Sequence, residues 1–179
     1  MTTSPWLRGL LIEQPVKRRV FVSYHHGGDQ VYYDAFSRTF CDTYDVITDN
    51  SLERVIDSED VDYVMRRIRE QYISGTSCTI VLVGRDTWGR KYVDWEIKAT
   101  LEKKHGLIGV QLPSASVDAN GNVTVPGRLH DNINSGYALW VNWEQLTASA
   151  QACTALIEKA NARDKQLIVN SRERRLRNA

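Results

Sequence analysis

The sequence predicts an α/β domain: an open, mostly parallel sheet with helices on both faces. Three observations carry this. Cys78 to Val83 is a short, unbroken apolar run rich in β-branched residues and ended by Gly84, the pattern of a strand covered on both faces. From Tyr92 the period becomes helical, with Val93, Ile97, Thr100 and Leu101 on one face. Leu107 to Leu112 then returns to strand character and stops at Pro113, which completes a βαβ unit.

The other elements follow in order. Lys17, Arg18 and Arg19 lead into a first strand, Val20 to Tyr24, ended by the polar, glycine-containing loop His25-His26-Gly27-Gly28-Asp29. A loop at such a place commonly delivers ligand-binding groups. Tyr32, Phe36 and Phe40 mark a helix from about Val31 to Asp42. Tyr44 to Thr48 reads as a second strand, with Asp49-Asn50-Ser51 as a turn-prone loop after it.

The next helix has Asp57 or Ser58 as its cap, Glu59 and Asp60 at the positive end of its dipole, and Val61, Val64, Met65, Ile68 and Tyr72 as its apolar stripe. Arg66, Arg67 and Arg69 form its solvated face. The central helix is expected to stop at Gly106, just past its last basic turn.

Asp118-Ala119-Asn120-Gly121-Asn122 is a turn or hairpin signal, and Pro126 to Asn132 reads as an irregular, exposed loop. Tyr137 to Trp143 supplies another strand, and Leu146, Ala150, Cys153, Ile157 and Ala160 a final amphipathic helix. This alternation favours the flavodoxin-like strand order 2-1-3-4-5. We divide the chain into an N-terminal arm (1–16), one domain (17–160) and a basic, partly frayed tail (161–179) with six Lys and Arg against two acids.

Composition narrows the chemistry. A formal net charge of +1 gives no reason to expect nucleic acid or an anionic membrane as partner, and no apolar run approaches the ~20 residues of a membrane span. Cys41, Cys78 and Cys153 are odd in number and lack metal or CxxC spacing, so they read as reduced, buried thiols of a cytoplasmic protein. No GxGxxG follows the first strand and no GxxxxGK[ST] occurs, which sets aside dinucleotide-fold and P-loop sites. The first strand ends in Ser23, Tyr24, His25 and His26 instead of clustered acids, which argues against phosphotransfer to an aspartate. No metal site is expected, because His25 and His26 point to opposite faces and lack a ligand partner nearby.

Glu96 lies beside Ile97 on the central helix, about 100° round from it, and shares a flank with Tyr92, Trp95 and Ala99. It borders the packed face near the carboxyl ends of the strands, where open α/β sheets bind ligands. Spacing alone also suits a solvated carboxylate with Lys103 and Arg90 for company. Asp94 reads as an early-turn charge suited to the helix dipole.

Val20 to Tyr24 resembles the first-strand motif of Toll/interleukin-1 receptor (TIR) domains. Asp86-Thr87-Trp88 followed by Tyr92 to Ile97 is similar to the TIR pattern of strand, short loop, aromatic and Glu-bearing helix. With Pro126 to Asn132, a Pro-x-Arg-Leu-x-Asp-Asn segment, the likeness extends to the TIR-like family that includes ThsB, the sensor of bacterial Thoeris anti-phage defence. It covers roughly residues 17 to 145.

The resemblance implies a domain that cleaves the nicotinamide–ribose bond of NAD, with Glu96 at the catalytic glutamate's position. NAD is then a substrate, and no cofactor is expected. Phe21, Ser23, Tyr24 and His25 would line the pocket, Asp49 would sit in the closing and assembly loop, Trp88 and Trp95 would stack on a base or ring, and Tyr92 would bind substrate. A phage-derived trigger, a separate effector reached through a soluble nucleotide messenger, and self-assembly are the implied partners. A non-catalytic TIR-like module acting by assembly fits the same fold.

Overall fold

A computed structural model describes residues 17–48 and 60–179. The expected N-terminal arm, Asp49, and the expected caps Asp57 and Ser58 lie outside the described residues.

Five parallel strands form one sheet: β1 (Arg18–Ser23), β2 (Tyr44–Ile47), β3 (Cys78–Val83), β4 (Gly106–Gln111) and β5 (Leu139–Asn142). Their order is β2-β1-β3-β4-β5, the flavodoxin-like order expected. β3 is buried at every position, as its unbroken apolar run requires. β1 pairs with it in the register Val20↔Cys78 to Ser23↔Val81, so β3 runs on to Val83 past the end of β1 at the carboxyl edge.

Period-two alternation divides the core. Val20, Val22, Cys78, Ile80 and Leu82 face α1 (His26–Phe40) and α6 (Ala150–Asn161), meeting Phe36, Phe40, Cys153 and Ile157. On the other side lie α2 (Val61–Arg67), α3 (Lys91–Glu102) and α4 (Gly127–Asn134). There Val81, Val83 and Leu107 meet Val93, Ile97, Leu101 and Leu129, while Phe21 meets Val64, Met65, Ile68 and Trp95. α3 therefore occupies the centre of that face. Gly109 of β4 lets Leu129 of α4 and Trp140 of β5 approach the sheet closely, since a Cβ there would meet Trp140 at 2.8 Å and Leu129 at 3.0 Å.

Several boundaries differ from expectation for physical reasons. α1 begins at His26, not Val31, because Gly27 and Gly28 continue the helix beneath the His25 ring. The cap of α2 is Asp60, whose side chain accepts from Tyr63 N, and the helix relaxes into a π-helical turn over Ile68–Ile73. α3 ends at Glu102, and Lys104, at φ 57°, takes the left-handed position expected near Gly106, which instead opens β4.

Leu146 sits on a separate short helix, α5 (Trp143–Thr147), closed by an Asn142/Gln145 capping box. Pro126 to Asn132, expected as an exposed loop, is mostly α4, with Arg128, Leu129 and Asn132 buried. Cys41 is exposed, contrary to the reading of three buried thiols. The residues after α6 are not frayed; they are hydrogen-bonded to α3 and α4.

Candidate active site

β1 delivers Ser23 to the carboxyl edge of the sheet on the face covered by α3. Glu96 lies in the second turn of α3, beside Ile97, whose packing on the sheet fixes the helix rotation. The two meet: the Ser23 hydroxyl donates to the Glu96 carboxylate, with the residues 1% and 5% exposed. Thr100 Oγ1 donates to the Glu96 carbonyl at 2.8 Å and bonds Thr79 of β3 at 2.7 Å, holding α3 to the sheet one turn further on. Glu96 is therefore no solvated helix carboxylate.

The remaining site candidates have described contacts of their own. Phe21 is fully buried with Trp95 and Ala99, so it is a core residue. Tyr24 belongs to the opposite face of the sheet: it stacks on Tyr33 with centroids 4.8 Å apart, lies 4.2 Å from His26, and donates to Gln30 Oε1 at 2.8 Å. Trp95 is 3% exposed, meets Tyr92 edge-on at 5.3 Å, and donates from Nε1 to the Arg175 carbonyl at 2.8 Å. Trp88, in the turn before α3, is 37% exposed under the Arg175 guanidinium.

His25 immediately precedes α1 and lines a crevice of about 140 Å³ with Gly28, Asp29, Arg85, Asp86 and Ser114. These residues follow the carboxyl ends of β1, β3 and β4, where the chain connections leave β1 and β3 in opposite directions.

Sequence reasoning missed Asp29 as a buried residue. It is 2% exposed and accepts from Thr87 Oγ1 at 3.2 Å and Ser114 Oγ at 3.0 Å, tying the loops after β3 and β4 to the first turn of α1. Burial raises its carboxyl pKa above the ordinary 3.8, partly offset by those two hydroxyls. Gly84 makes room for it, since a Cβ there would come within 2.2 Å of Asp29 Oδ1.

Arg128 was also missed. It is fully buried and forks onto Asp94, with Nε to Oδ1 at 2.9 Å and Nη2 to Oδ2 at 3.3 Å. Asp94 is thus half of a buried ion pair, not an early-turn charge in solvent. The Pro-x-Arg-Leu-x-Asp-Asn segment was the available signal, since Arg128 and Asn132 are its buried members.

Among the described residues, no group of three or more His, Cys, Asp or Glu is placed to hold a metal, and no helix is long and apolar enough to cross a membrane. A buried carboxylate oriented by a hydroxyl can stabilise positive charge that develops beside it, because little water competes there.

Two comparisons bear on this geometry. A stretch of 66 residues is 33% identical to a protein of Bacillus cereus (strain MSX-D12) whose name reads "Putative cyclic ADP-D-ribose synthase ThsB1". That stretch spans 37% of this chain and 34% of the relative, so only about a third of the relative is matched. The model of the family described as "Thoeris protein ThsB, TIR-like domain" matches residues 21–117, more than half of the 179-residue chain, and takes in both Ser23 and Glu96. With its parallel sheet in the order β2-β1-β3-β4-β5, the chain belongs to the TIR-like domain family of the Thoeris protein ThsB.

Proposed function

We propose that this chain cleaves NAD at the nicotinamide–ribose bond and makes a cyclic or conjugated ADP-ribose signalling molecule, which activates a separate effector during anti-phage defence. The observation that carries the reading is the buried Glu96, held by Ser23 at the carboxyl edge of the sheet. Membership of the Thoeris family and the name borne by the Bacillus cereus relative support it.

In this reaction the bond from ribose C1′ to the pyridinium nitrogen breaks and its electron pair stays with nitrogen, so nicotinamide leaves neutral. Positive charge develops on C1′ and the ring oxygen. The Glu96 carboxylate stabilises that charge, and the Ser23 hydroxyl holds it in one orientation. Exclusion of water favours attack on C1′ by a nucleophile of the bound nucleotide over hydrolysis, which yields a cyclic product. A phage-derived trigger and self-assembly switch the reaction on, in the cytoplasm, because constant NAD consumption would harm the host.

A second reading, a non-catalytic interaction module, draws on the near-complete cover of Glu96, since substrate requires space beside it. Nicotinamide release separates the two readings. The full chain, alone and with extract of phage-infected cells, is compared with Glu96→Gln. The enzyme reading expects triggered release that falls about 100- to 1,000-fold in the variant. Triggered release of equal rate in both proteins contradicts the role of Glu96, and absence of release from either favours the module.

A further inference from the structure

Residues 170–179 lie without regular secondary structure across α2, α3 and α4, and what holds them is polar. Arg172 forks onto Asp131, with both nitrogens at 2.9 Å, and Arg174 Nη1 meets Asp62 at 2.8 Å. Arg175 N donates to Asp94 Oδ2 at 2.9 Å, and its carbonyl accepts from Trp95 Nε1 at 2.8 Å. Asn178 Oδ1 accepts from Lys91 N at 3.0 Å, capping α3, and Ala179 N donates to the Gly89 carbonyl at 2.9 Å. The segment's one large apolar side chain, Leu176, is 69% exposed.

Apolar anchoring stops just upstream. Ile168 packs against the core, and Val169 is pinned on both sides by Asn132, through N to Oδ1 at 3.0 Å and O to Nδ2 at 2.7 Å. Beyond that clamp the fully buried Arg128 donates to Asn170 Oδ1 at 2.7 Å and to the Glu173 carbonyl at 3.1 Å; each remaining polar contact gains about as much as it costs to order one residue, and exposed ion pairs gain less. Docked and released forms of the segment therefore lie close in free energy.

What the segment leaves behind is a groove whose rims carry Asp62 and Asp131 and whose floor carries Trp88, Asp94 and Trp95. Asp94 keeps its Arg128 partner when the segment lifts, so the floor survives release. Acidic rims, a Trp Nε1 donor and the unpaired first amide of α3 suit an extended, basic peptide. The peptide known to satisfy all of them is the segment itself, and a second copy of the chain brings it.

We infer that the groove is a docking site for residues 170–179 of a second copy, so that two copies exchange these segments. Ten extended residues pivoting after Val169 reach about 33 Å, enough to cross to a neighbour. Segment exchange joins two copies without any new kind of contact. The inference stands on the segment's own contacts and not on the NAD chemistry.

A reversible lock tests it in the full chain. A Cβ built on Gly89 lies 2.9 Å from the Ala179 Cβ, closer than the roughly 3.5–4.5 Å a disulfide spans, so Gly89→Cys with Ala179→Cys, on a Cys41→Ser background, closes the groove on oxidation after an outward shift of the last residue by about 1 Å. Sedimentation velocity at rising protein concentration reads self-association, and fluorescence anisotropy of a labelled 170–179 peptide reads capture. The reduced protein should self-associate and capture the peptide, with capture falling at least about fivefold between roughly 0.05 and 0.5 M salt. The oxidised protein should do neither.

Asp62→Asn with Asp131→Asn, in a chain without added cysteines, should speed hydrogen exchange at the Arg175 and Ala179 amides and weaken capture about tenfold. Failure of the reduced protein to capture the peptide, equal capture of a scrambled peptide, or capture indifferent to the rim variants overturns the docking site. Capture combined with self-association that the lock does not touch overturns the second copy as its occupant.

Discussion

Replacing Arg128 by Met should destabilise the fold by about 3–5 kcal/mol, because it strands a charge. Arg128 is fully buried and the Asp94 side chain is 7% exposed, so neither is rescued by water. Besides its two contacts to Asp94, the guanidinium donates to Asn170 Oδ1 at 2.7 Å and to the Glu173 carbonyl at 3.1 Å. Met keeps much of the volume, so the loss is one of charge pairing more than of cavity. Among the described residues Asp94 would retain the Arg175 N donor, on a segment that Arg128 itself helps to hold. In urea unfolding at neutral pH, with a slope of about 2 kcal/mol/M, the midpoint should fall by roughly 2 M. The double variant Asp94→Leu/Arg128→Met should recover most of the loss, since no buried charge remains. A loss below about 1 kcal/mol for Arg128→Met, or a double variant no better than the single one, would refute the reasoning.

Three further outcomes follow from other parts of the structure. Asp29 has a raised folded-state pKa, so its contribution to stability is complete below the ordinary 3.8 and is lost as pH rises through the folded value. Asp29→Asn should therefore gain stability relative to wild type between about pH 3 and pH 7, measured by urea unfolding, and an unchanged difference across that range contradicts it. Gly84→Ala pushes a methyl to within 2.2 Å of the Asp29 carboxylate and should cost about 1–3 kcal/mol; a thermal melt equal to wild type would mean the carboxylate moves freely. Of the three cysteines, Cys41 is exposed, while burial raises the Cys78 thiol strongly and pushes that of Cys153 up to about 11. Ellman's reagent at pH 8 should therefore find one thiol in the native protein and three after denaturation; rapid modification of a second native thiol would contradict this.

What could be read from the sequence was set by how local its cause is. β3 was legible because burial on both faces leaves an unbroken β-branched run, and α3 because its apolar residues repeat at helical spacing. Glu96 was placed beside the packed face correctly, but its cover by Ser23 was not visible, since the partners lie 73 residues apart. Asp29 looked like loop because it follows two glycines; its burial depends on hydroxyls 58 and 85 residues away. Arg128 and Asp94, 34 residues apart, each looked like surface charges until the fold paired them. The basic segment after α6 looked solvated for the same reason, as Asp62 and Asp131, which answer Arg174 and Arg172, are remote in sequence. Phe21 and Tyr24 share one strand motif, yet period-two alternation sends them to opposite faces, so a motif read as one pocket lining was divided by the sheet.

The most direct test of the central claim is the small-molecule content of phage-infected cells expressing the wild type or Glu96→Gln, with chromatography and mass spectrometry of NAD and its ADP-ribose derivatives. The variant keeps the size of Glu96 and one oxygen that can accept from Ser23, so equal melting temperatures would show that the fold beneath Ser23 is intact. The account expects NAD to fall and a cyclic or conjugated ADP-ribose species to appear on infection with wild type, and neither with Glu96→Gln. The same species at the same level in both, or protection by Glu96→Gln with no species in either, would contradict it.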